Sequence, residues 1–342
     1  MPLHLQTIPA RFATALLDNV IHRPAFDADW IAQAGLSHEL LQLPGTRITM
    51  EKFAQLYRLV AIRLDDETVG LFSRPMRNGT LKYLCISMLG APSLGVALNR
   101  FRHFFRLMND DVEFVITTLP DGLVRIALHE KIDLGERRVL AKELMLMLTQ
   151  GVASWLIAHP IPFVRIGFTF PEPPHAADYD HLYPGPVHFN QPVTALYMDP
   201  AFLAEPIRQD QTTLGAFIRN APLHWFYFTD SSRPHTHRVR NVLKDRLDQG
   251  LSMAAVAQKL HTTPRSLARW LAAEGTTFQN TKDQLRRDLA IELLNKTTLP
   301  VAAIGSRLGF QDPAAFNRAF RHWTGSAPGA YRKRPETRPP RA

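Results

Sequence analysis

Apolar residues recur with the period of an α-helix throughout the last third of the chain. In residues 309–325, GFQDPAAFNRAFRHWTG, Asp312 followed by Pro313 predicts a helix start, because a carboxylate accepts hydrogen bonds from the first-turn amides and proline has no amide to lose. Gly325 predicts the helix end. The aromatic residues at spacings of four and three are Phe316, Phe320 and Trp323. This stripe predicts a buried face, opposite a polar face that contains Arg318.

The first 230 residues mix helical and strand-like patterns. Helical periods occur in Phe53–Leu64, Leu94–Leu107 and Val139–Ile157. Short alternating or β-branched segments predict strands at Val112–Thr118, Leu123–Glu130, Val164–Phe170 and Thr194–Met198. The turn Pro120-Asp121-Gly122 predicts a hairpin between the first two strands. Residues 1–230 are therefore predicted to form an α+β domain.

The helical pattern of residues 309–325 has an earlier copy, in Ser252–Phe278. The first-helix residues Val256, Ala257 and Leu260 lie 48 positions before Ile304, Gly305 and Leu308. After the turn the offset is 49, and it aligns Thr263-Pro264, Leu267, Arg269 and Leu271 with Asp312-Pro313, Phe316, Arg318 and Phe320. Each copy is a short helix, a tight turn and a capped second helix, which is the helix-turn-helix pattern. Thr276–Thr297 between the copies predicts one long helix.

The second helix of a helix-turn-helix unit reads base edges in the DNA major groove, with residues near its N-terminal end. We expect base contacts from Arg265, Ala268, Arg269, Ala314, Asn317 and Arg318. Arginine matches guanine, asparagine matches adenine, and alanine meets thymine or leaves room. Candidates for phosphate contact or simple solvation are Ser266, Lys282, Arg286, Arg287, Arg321, His322, Arg332 and Lys333. Arg286 has a second interpretation, as an internal strut.

The net charge of +9 is unevenly distributed along the 342 residues. Residues 1–232 contain 20 Lys and Arg against 23 Asp and Glu, whereas residues 233–342 contain 20 against 8, a net charge of +12. This basic third favours nucleic acid or an anionic membrane as a partner, although a merely soluble basic domain is an equal alternative on charge alone. The apolar run Leu144–Ala158 is too short for a membrane span and predicts a buried helix.

Compartment and catalytic signals are few. Cys85, the single cysteine, excludes an intramolecular disulfide and fits a reducing cytoplasm, and no signal peptide is expected. The sequence has no GxSxG, no HExxH and no phosphate-binding glycine loop. His235-x-His237 and Asp65-Asp66-Glu67 are expected to be solvated rather than to bind metal. No cofactor is predicted.

The paired helix-turn-helix units resemble the DNA-binding domain of AraC/XylS-type transcription regulators. The resemblance covers about 100 residues, from near Arg240 to Lys333, and includes the spacing Arg286-x-x-x-Ala290-x-x-Leu293-Leu294. Its most specific motif is Ile304-x-x-x-Leu308-Gly309-Phe310-x-Asp312-x-x-x-Phe316-x-Arg318-x-Phe320-x-x-x-x-Gly325-x-x-Pro328-x-x-Tyr331-Arg332. The segment Trp270-Leu271-Ala272-Ala273 departs from the family by lacking a lysine after the first reading arginine, which weakens the expected phosphate anchoring there.

The N-terminal half resembles the ornithine- and virulence-regulator branch of that family, through Gln191–Ile207 and the early helical stretch. This resemblance implies a small-molecule effector, RNA polymerase as a partner and a homodimer, with a monomer as the open alternative. Candidate pocket aromatics, with the core as their alternative, are Tyr83, Phe101, Phe104, Phe105 and Trp155. Candidate effector clamps, with surface charge as their alternative, are Arg47, Arg74 and Arg77.

The sequence as a whole predicts a cytoplasmic, nucleoid-associated, sequence-specific regulator, expected to be an activator and not an enzyme. The predicted division is an effector and dimerisation domain at 1–230, a linker at 231–239, an all-α DNA-binding domain at 240–335 and a tail at 336–342. Two readings stay open beside it. One is a sequence-independent nucleic-acid-binding protein, and the other is an enzyme domain fused to a DNA-binding tail.

Overall fold

The computed structural model describes residues 7–223, 225 and 234–332. These residues fall into two compact units. The C-terminal unit comprises residues 7–11, 31–52 and 234–332, and the central unit comprises residues 12–30, 53–223 and 225. The predicted boundary near residue 230 did not anticipate that two N-terminal segments group with the C-terminal helices. Residues 231–233 of the predicted linker, and the tail 336–342, lie outside the described residues.

The described part of the central unit contains seven helices and five strands. Two of the helices begin in segments that group with the C-terminal unit. The seven helices are α1 (Arg11–Asp18), α4 (Met50–Leu64), α5 (Thr80–Leu89), α6 (Leu94–Met108), α7 (Arg138–Leu156), α8 (Tyr179–Leu182) and α9 (Gln211–Arg219). The five strands are β3 (Val112–Thr118), β4 (Val124–Glu130), β5 (Arg165–Gly167), β6 (Val187–His188) and β7 (Thr194–Met198). The α+β class predicted from the sequence is confirmed.

The five strands form one sheet in the order β3-β4-β7-β5-β6. The predicted hairpin is confirmed, since β3 pairs antiparallel with β4 from Val112 opposite Glu130 to Thr118 opposite Val124. Gly122 in its turn has a φ of +85°, a conformation open to glycine. Strand β7 pairs antiparallel with both β4 and β5, and only the edge pair β5–β6 is parallel.

Helix α7 forms the centre of the central unit and is buried on every side from Leu140 to Leu156. It contains most of the apolar run 144–158, which is therefore a core helix, as predicted. No helix in the described part of the chain is long and apolar enough to cross a bilayer. Two charged residues at the start of α7 are also buried, and each has a partner. Lys142 pairs with Glu130 and donates to Thr169 Oγ1 at 2.5 Å, while Glu143 accepts from the Tyr179 hydroxyl.

The C-terminal unit is mainly helical. Its later helices are α10 (Pro234–Leu243), α11 (Met253–Lys259), α12 (Pro264–Ala273), α13 (Phe278–Lys296), α14 (Val301–Arg307) and α15 (Pro313–Thr324), followed by a 3-10 turn at Pro328–Tyr331. Helix α10 occupies residues 234–239, which the sequence analysis assigned to the linker. It forms there because the Glu274 carboxylate accepts from the backbone amides of His235 and Thr236, both at 2.8 Å, and so caps its first turn.

One apolar core joins these helices to a segment from the start of the chain. Phe316 and Phe320 are fully buried in it, which confirms the predicted aromatic face of α15. Leu40 belongs to the same core and lies on α3 (His38–Gln42). Beside it, β1 (Thr7–Pro9) pairs antiparallel with β2 (Arg47–Thr49). The remaining short helix, α2 (Asp29–Gln33), spans the division between the two units.

Candidate nucleic-acid interface

The predicted repeat is present as two helix pairs, α11 with α12 and α14 with α15. The second helix of each pair begins with proline after a capping side chain. Thr263 Oγ1 accepts from Ser266 N at 3.1 Å, and Asp312 accepts from the amides of Ala314 and Ala315 at 2.9 and 3.0 Å. The caps satisfy first-turn amides, so the N-terminal end of both second helices is fixed.

A small residue sets how closely the helices of the second pair cross. A β-carbon added at Gly305 would lie only 3.1 Å from the β-carbon of Phe316, tighter than ordinary van der Waals contact. The matching position in the first pair is Ala257, which is fully buried. The sequence therefore identified the crossing point correctly in both pairs.

Arg286 is the internal strut that the sequence analysis offered as its second interpretation. Its Nε donates to the carbonyl of Leu308 at 3.0 Å, and its guanidinium lies 4.8 Å from the centre of the Phe310 ring. Gly309, which follows Leu308, has a φ of +82°, and a side chain there would clash with the carbonyl oxygen of Leu247. Arg286 thus stabilises the turn between α14 and α15 from α13.

Two other basic residues of α13 are also engaged inside the unit. Lys282 is 9% exposed, and its Nζ donates to the carbonyl of Leu251 at 3.1 Å. Burial, with a smaller contribution from Arg286, lowers the pKa of Lys282 below its ordinary value. Arg287 pairs with Asp288 at 3.1 Å. Both side chains are therefore bonded within the unit rather than simply solvated. Phosphate contact by these residues stays a prediction.

Five of the six predicted base-reading residues are exposed, namely Arg265, Ala268, Arg269, Ala314 and Arg318. The sixth, Asn317, is half-buried, and its Nδ2 donates to the carbonyl of Pro313 at 2.9 Å. Arg318 is 74% exposed at its side chain and lies 3.8 Å from the Asp312 carboxylate. This is a loose surface pair, which costs little to exchange for another partner. Base contact by these six residues stays a prediction.

The predicted phosphate contacts divide into three groups. Arg321 and His322 are exposed at the end of α15, and half-buried Ser266 accepts from the Thr263 hydroxyl at 3.0 Å. Arg332 instead donates to the backbone carbonyls of Thr297 and Leu299, with its Nη1 3.3 Å from the first. Those bonds hold the turn after α13, so Arg332 acts within the fold. Lys333 lies outside the described residues.

A buried ionic cluster centred on Asp288 was not anticipated from the sequence. Its carboxylate accepts from Thr7 Oγ1 at 2.7 Å, from Arg240 Nη2 at 2.9 Å and from Arg287 Nη2 at 3.1 Å. Burial alone would raise the pKa of Asp288, but Arg287, Arg240 and Arg47 outweigh it and hold the pKa below its ordinary value. The carboxylate therefore joins α13, α10 and β1 as a charged group.

Arg47 completes the attachment of the N-terminal segments. Its side chain is buried, and its Nε and Nη2 donate to Thr7 Oγ1 at 3.0 Å and to the Thr7 carbonyl at 2.7 Å. Its backbone amide donates to the Tyr331 hydroxyl at 3.0 Å. Arg47 was named as a candidate effector clamp or a surface charge, and it is neither, because its donors are used inside the C-terminal unit.

His235 of α10 and Trp270 of α12 are in direct contact. The His235 ring stacks on Trp270 with centroids 4.4 Å apart and planes at 19°. The expectation of a solvated His235-x-His237 pair is therefore wrong for His235. Trp270 lies in the segment where the sequence departs from the family pattern. It packs from α12 against the start of α10.

The central unit contains a cavity of about 230 Å³. Phe105 is the one predicted pocket aromatic that lines it. Tyr83 is 65% exposed, Phe104 is half-buried, and Phe101 and Trp155 are core residues away from this cavity. Arg58 and Trp225 also line it. No sequence pattern indicated them, because α4 and residues 221 and 225 are brought together only by the fold.

The acidic run at residues 65–67 is structured rather than solvated. Asp66 is buried and accepts from the amides of Thr68, Gly70 and Met76 at 2.9 to 3.0 Å. Asp65 pairs with exposed Arg77 at 2.6 Å. Arg77, one of the candidate effector clamps, therefore already has a carboxylate partner. Arg74, the remaining candidate clamp, is exposed. Within the described residues, no three His, Cys, Asp or Glu side chains group as a metal site requires.

Comparison with known proteins accounts for both halves of the chain. Residues 27–207 match the family described as the arabinose-binding domain of AraC transcription regulator, N-terminal, and residues 237–334 match a helix-turn-helix domain. The Pseudomonas aeruginosa ornithine utilization regulator is 30% identical over 339 residues, which cover 96% of this chain and 97% of that protein.

Two further matches either cover a smaller share of the chain or have a lower sequence identity. The transcriptional activator NphR of Rhodococcus sp. is 35% identical over 97 residues, 28% of this chain and 29% of its own length. The crystal structure of the transcriptional regulator CdpR from Pseudomonas aeruginosa aligns over 94% of this chain and 97% of its own, at 19% identity and a TM-score of 0.31.

Proposed function

The chain belongs to the AraC family of transcription regulators, and from this premise we propose that α12 and α15 read bases in two successive major grooves. The proposed reading residues are Arg265, Ala268 and Arg269 on α12, and Ala314, Asn317 and Arg318 on α15. The observation that carries the proposal is the match between the two pairs. Both second helices are capped, both bury an apolar face, and both expose an arginine at equivalent positions, Arg269 and Arg318.

The spacing of the two reading helices supports simultaneous contact. Helix α13 joins the pairs and has 19 residues, which at 1.5 Å per residue gives a length of about 28 Å. One turn of DNA is ~34 Å, so a single helix of this length can hold two reading heads on one side of the duplex. Lys282 and Arg286 of α13 support this arrangement, because they bond to the carbonyl of Leu251 before the first pair and to that of Leu308 in the second pair.

Exposed polar groups flank each reading helix, and we propose that they contact phosphates. Arg321 and His322 fill this role at the end of α15, and Ser266 does so at the start of α12. Lys333 remains a proposed contact on the sequence alone. Arg332 takes the lesser part, since two backbone carbonyls already occupy its guanidinium.

We further propose that a small molecule bound by the central unit controls DNA binding. The support is the arabinose-binding-domain match together with a cavity inside that unit. An effector that binds one conformational state better than the other shifts the population able to occupy both grooves. L-ornithine is the comparison ligand for any effector test, because the relative aligned over the whole chain is named an ornithine utilization regulator.

The remaining functional proposals follow from the family. We propose an activator that contacts RNA polymerase at promoters, acts in the cytoplasm at the nucleoid and is not an enzyme. A relative that aligns over 97 residues of this chain is named a transcriptional activator. A homodimer would place four reading helices on one operator, and a monomer would place two.

The test is selection of genomic DNA fragments by the purified full-length protein at about physiological salt, followed by sequencing. Arg269→Ala and Arg318→Ala are compared with wild type. Lys259→Ala and Arg307→Ala are matched controls, because each removes an exposed cation from the end of the first helix of a pair.

We expect a motif with two informative blocks about one helical turn apart, and a loss of ~1–3 kcal/mol at particular base pairs when a reading arginine is removed. Arg269→Ala should erase one block and Arg318→Ala the other, while both controls keep the motif. Retained DNA without a motif, with all four variants alike, would instead establish a sequence-independent binder. Turnover of a small molecule by the protein would support the enzyme alternative.

A further inference from the structure

The walls of the central-unit cavity are mainly apolar. Side chains from five helices, from residues 67–78 and from residues 221 and 225 line it, among them Ile62, Leu84, Met145, Leu148 and Ile218. A volume of about 230 Å³ lies just below the ~300–1,000 Å³ of most small-molecule sites. At ~30 Å³ for each water-sized group, it accommodates about eight non-hydrogen atoms.

Most polar groups on the cavity wall already have partners within the protein. The two carboxylate oxygens of Glu67 accept from the amides of Gly79 and Leu81 at 2.8 and 2.7 Å, at the start of α5. A helix N-terminus stabilises negative charge, so this carboxylate is held by the fold. The Tyr57 hydroxyl donates to the Glu67 carbonyl at 2.6 Å, and Asn78 Nδ2 donates to the Ala61 carbonyl at 3.2 Å.

Two hydrogen-bond donors on the wall differ from the rest. Trp225 is 4% exposed, and its indole Nε1 has no hydrogen-bond partner in the described part of the chain. A buried donor without a partner costs about 1–3 kcal/mol, so a ligand that supplies an acceptor gains by satisfying it. Arg58 donates from Nη1 to the Ala221 carbonyl at 3.2 Å, which occupies one of its five N–H groups.

Both residues contact the same short segment of the chain, residues 221–223. Arg58 bonds to Ala221, and Trp225 closes the following turn by donating its amide to the Pro222 carbonyl at 2.9 Å. The Trp225 ring also meets Tyr57, the neighbour of Arg58, edge to face with centroids 6.0 Å apart. A side chain at Gly151 would clash with Trp225, so close packing on α7 fixes the tryptophan in place.

We propose that this cavity is the effector site and that the effector is a small apolar carboxylate of about eight non-hydrogen atoms. Its carboxylate accepts from the Arg58 guanidinium and the Trp225 indole N–H, and its apolar body fills the space between α4, α5 and α7. A cationic amine is disfavoured, because Arg58 is the only cation among the described lining residues and both Glu67 carboxylate oxygens already accept backbone amides. This inference rests on the proposed control by an effector and identifies its chemical class.

The experiment is calorimetric titration of the purified full-length protein with hexanoate, benzoate, 1-hexanol and L-ornithine. The first two are carboxylates of the right size, 1-hexanol has the apolar body without the charge, and L-ornithine has similar size with two amines. Trp225→Phe removes the indole N–H and keeps an aromatic ring. Arg58→Met removes the cation, and Arg63→Met is its control, since Arg63 is exposed on the same helix and does not line the cavity.

We expect at least one carboxylate to bind with one-to-one stoichiometry and more tightly than 1-hexanol or L-ornithine. Hydrogen bonds to a charged group are worth enough that Trp225→Phe and Arg58→Met should each weaken carboxylate binding about 10- to 100-fold. Arg63→Met should bind like wild type. Thermal denaturation of each variant checks folding, and Trp225→Phe, the milder change, keeps the test valid where Arg58→Met unfolds the unit.

Three results would overturn the inference: no binding of either carboxylate, equal or tighter binding of 1-hexanol or L-ornithine, or carboxylate binding unaffected by Trp225→Phe. The DNA selection described above separates this failure from failure of the proposed function. If the two-block motif is present while the carboxylates do not bind, the regulator assignment holds and only the effector class is wrong. If the motif is also missing, the proposed DNA-reading function fails.

Discussion

Replacing Asp288 by asparagine should destabilise the C-terminal unit more than any other single charge-removing change on α13. The substitution keeps the size of the side chain but removes the negative charge that Arg240, Arg287 and the Thr7 hydroxyl surround. Arg47, which also lowers the Asp288 pKa, bonds to Thr7 within the same cluster. Asp288→Asn would therefore leave buried positive charge without its compensating carboxylate.

The size of the effect follows from burial. Asp288 is 4% exposed, and removing one partner of a buried ion pair costs about 3–5 kcal/mol. A typical domain has only about 5–15 kcal/mol of free energy of unfolding, so the loss is a large fraction of the total. With a urea m-value of about 1–3 kcal/mol/M, the denaturation midpoint should fall by at least about 1 M.

The dependence on pH has a definite sign. The pKa of Asp288 is lower in the folded protein than in the unfolded chain, so the folded state binds fewer protons. Its contribution to stability is fully present above the unfolded-state pKa of about 3.9 and is lost as the pH falls through the folded-state value. The difference between wild type and Asp288→Asn should be constant near neutral pH and shrink below about pH 4.

The measurement is urea denaturation of the full-length protein by circular dichroism, together with hydrogen exchange of the α10 and α13 peptides to locate the loss. Asp283→Asn is the control, because Asp283 lies on the same helix, is 31% exposed, and has only a 3.5 Å pair with Arg286 and an exposed 2.8 Å hydrogen bond from Gln279 Nε2. That control should cost less than about 1 kcal/mol. Equal midpoints for the two variants would refute the argument that the buried cluster holds α13 to α10 and β1.

Substitutions at Gly305, Ala257 and Gly325 test the packing of the C-terminal unit. Gly305→Leu should overpack the crossing of α14 and α15 at a cost of about 1–3 kcal/mol and erase one block of the selected DNA motif. Ala257→Leu should erase the other block. Loss of both blocks from either change would contradict independent reading heads. Gly325→Ala should lower the free energy of unfolding by more than ~1 kcal/mol, and with it the urea midpoint. Residue 325 has a φ of +70°, and an added β-carbon would clash with the backbone before β2. Gly329→Ala faces open space and should leave the midpoint unchanged, so similar midpoints for both variants would refute the strain argument.

The repeated helix pairs could be predicted because their signals are local. Capping residues such as Thr263 and Asp312 precede proline directly, and apolar periods of three and four residues define a helix face without reference to the rest of the fold. The same reasoning gave the α+β class and the hairpin of the central unit. Base contact by Arg269 and Arg318 remains a prediction, because the geometry of the protein alone contains no DNA.

The features that the sequence did not reveal depend on distant pairs. Thr7 and Asp288 are separated by 281 positions, and neither residue type nor spacing indicates that they meet. The role of a basic residue is equally hard to predict when it depends on tertiary packing. Arg286 and Arg332 stand in a basic segment, yet both donate to backbone carbonyls inside the unit. The donors of the cavity were missed because Arg58 and Trp225 lie 167 positions apart.

The grouping of β1, α3 and β2 with the last hundred residues affects how the protein is made. Residues 7–11 and 31–52 leave the ribosome first, but their partners begin only at residue 234. At about 5–20 residues per second, synthesis of the intervening chain takes roughly 10–40 s. Throughout that interval Leu40 has no core to enter, and the Arg47 side chain has no Asp288 carboxylate nearby. A chain interrupted before residue 234 therefore leaves these two N-terminal segments without the helices on which they pack.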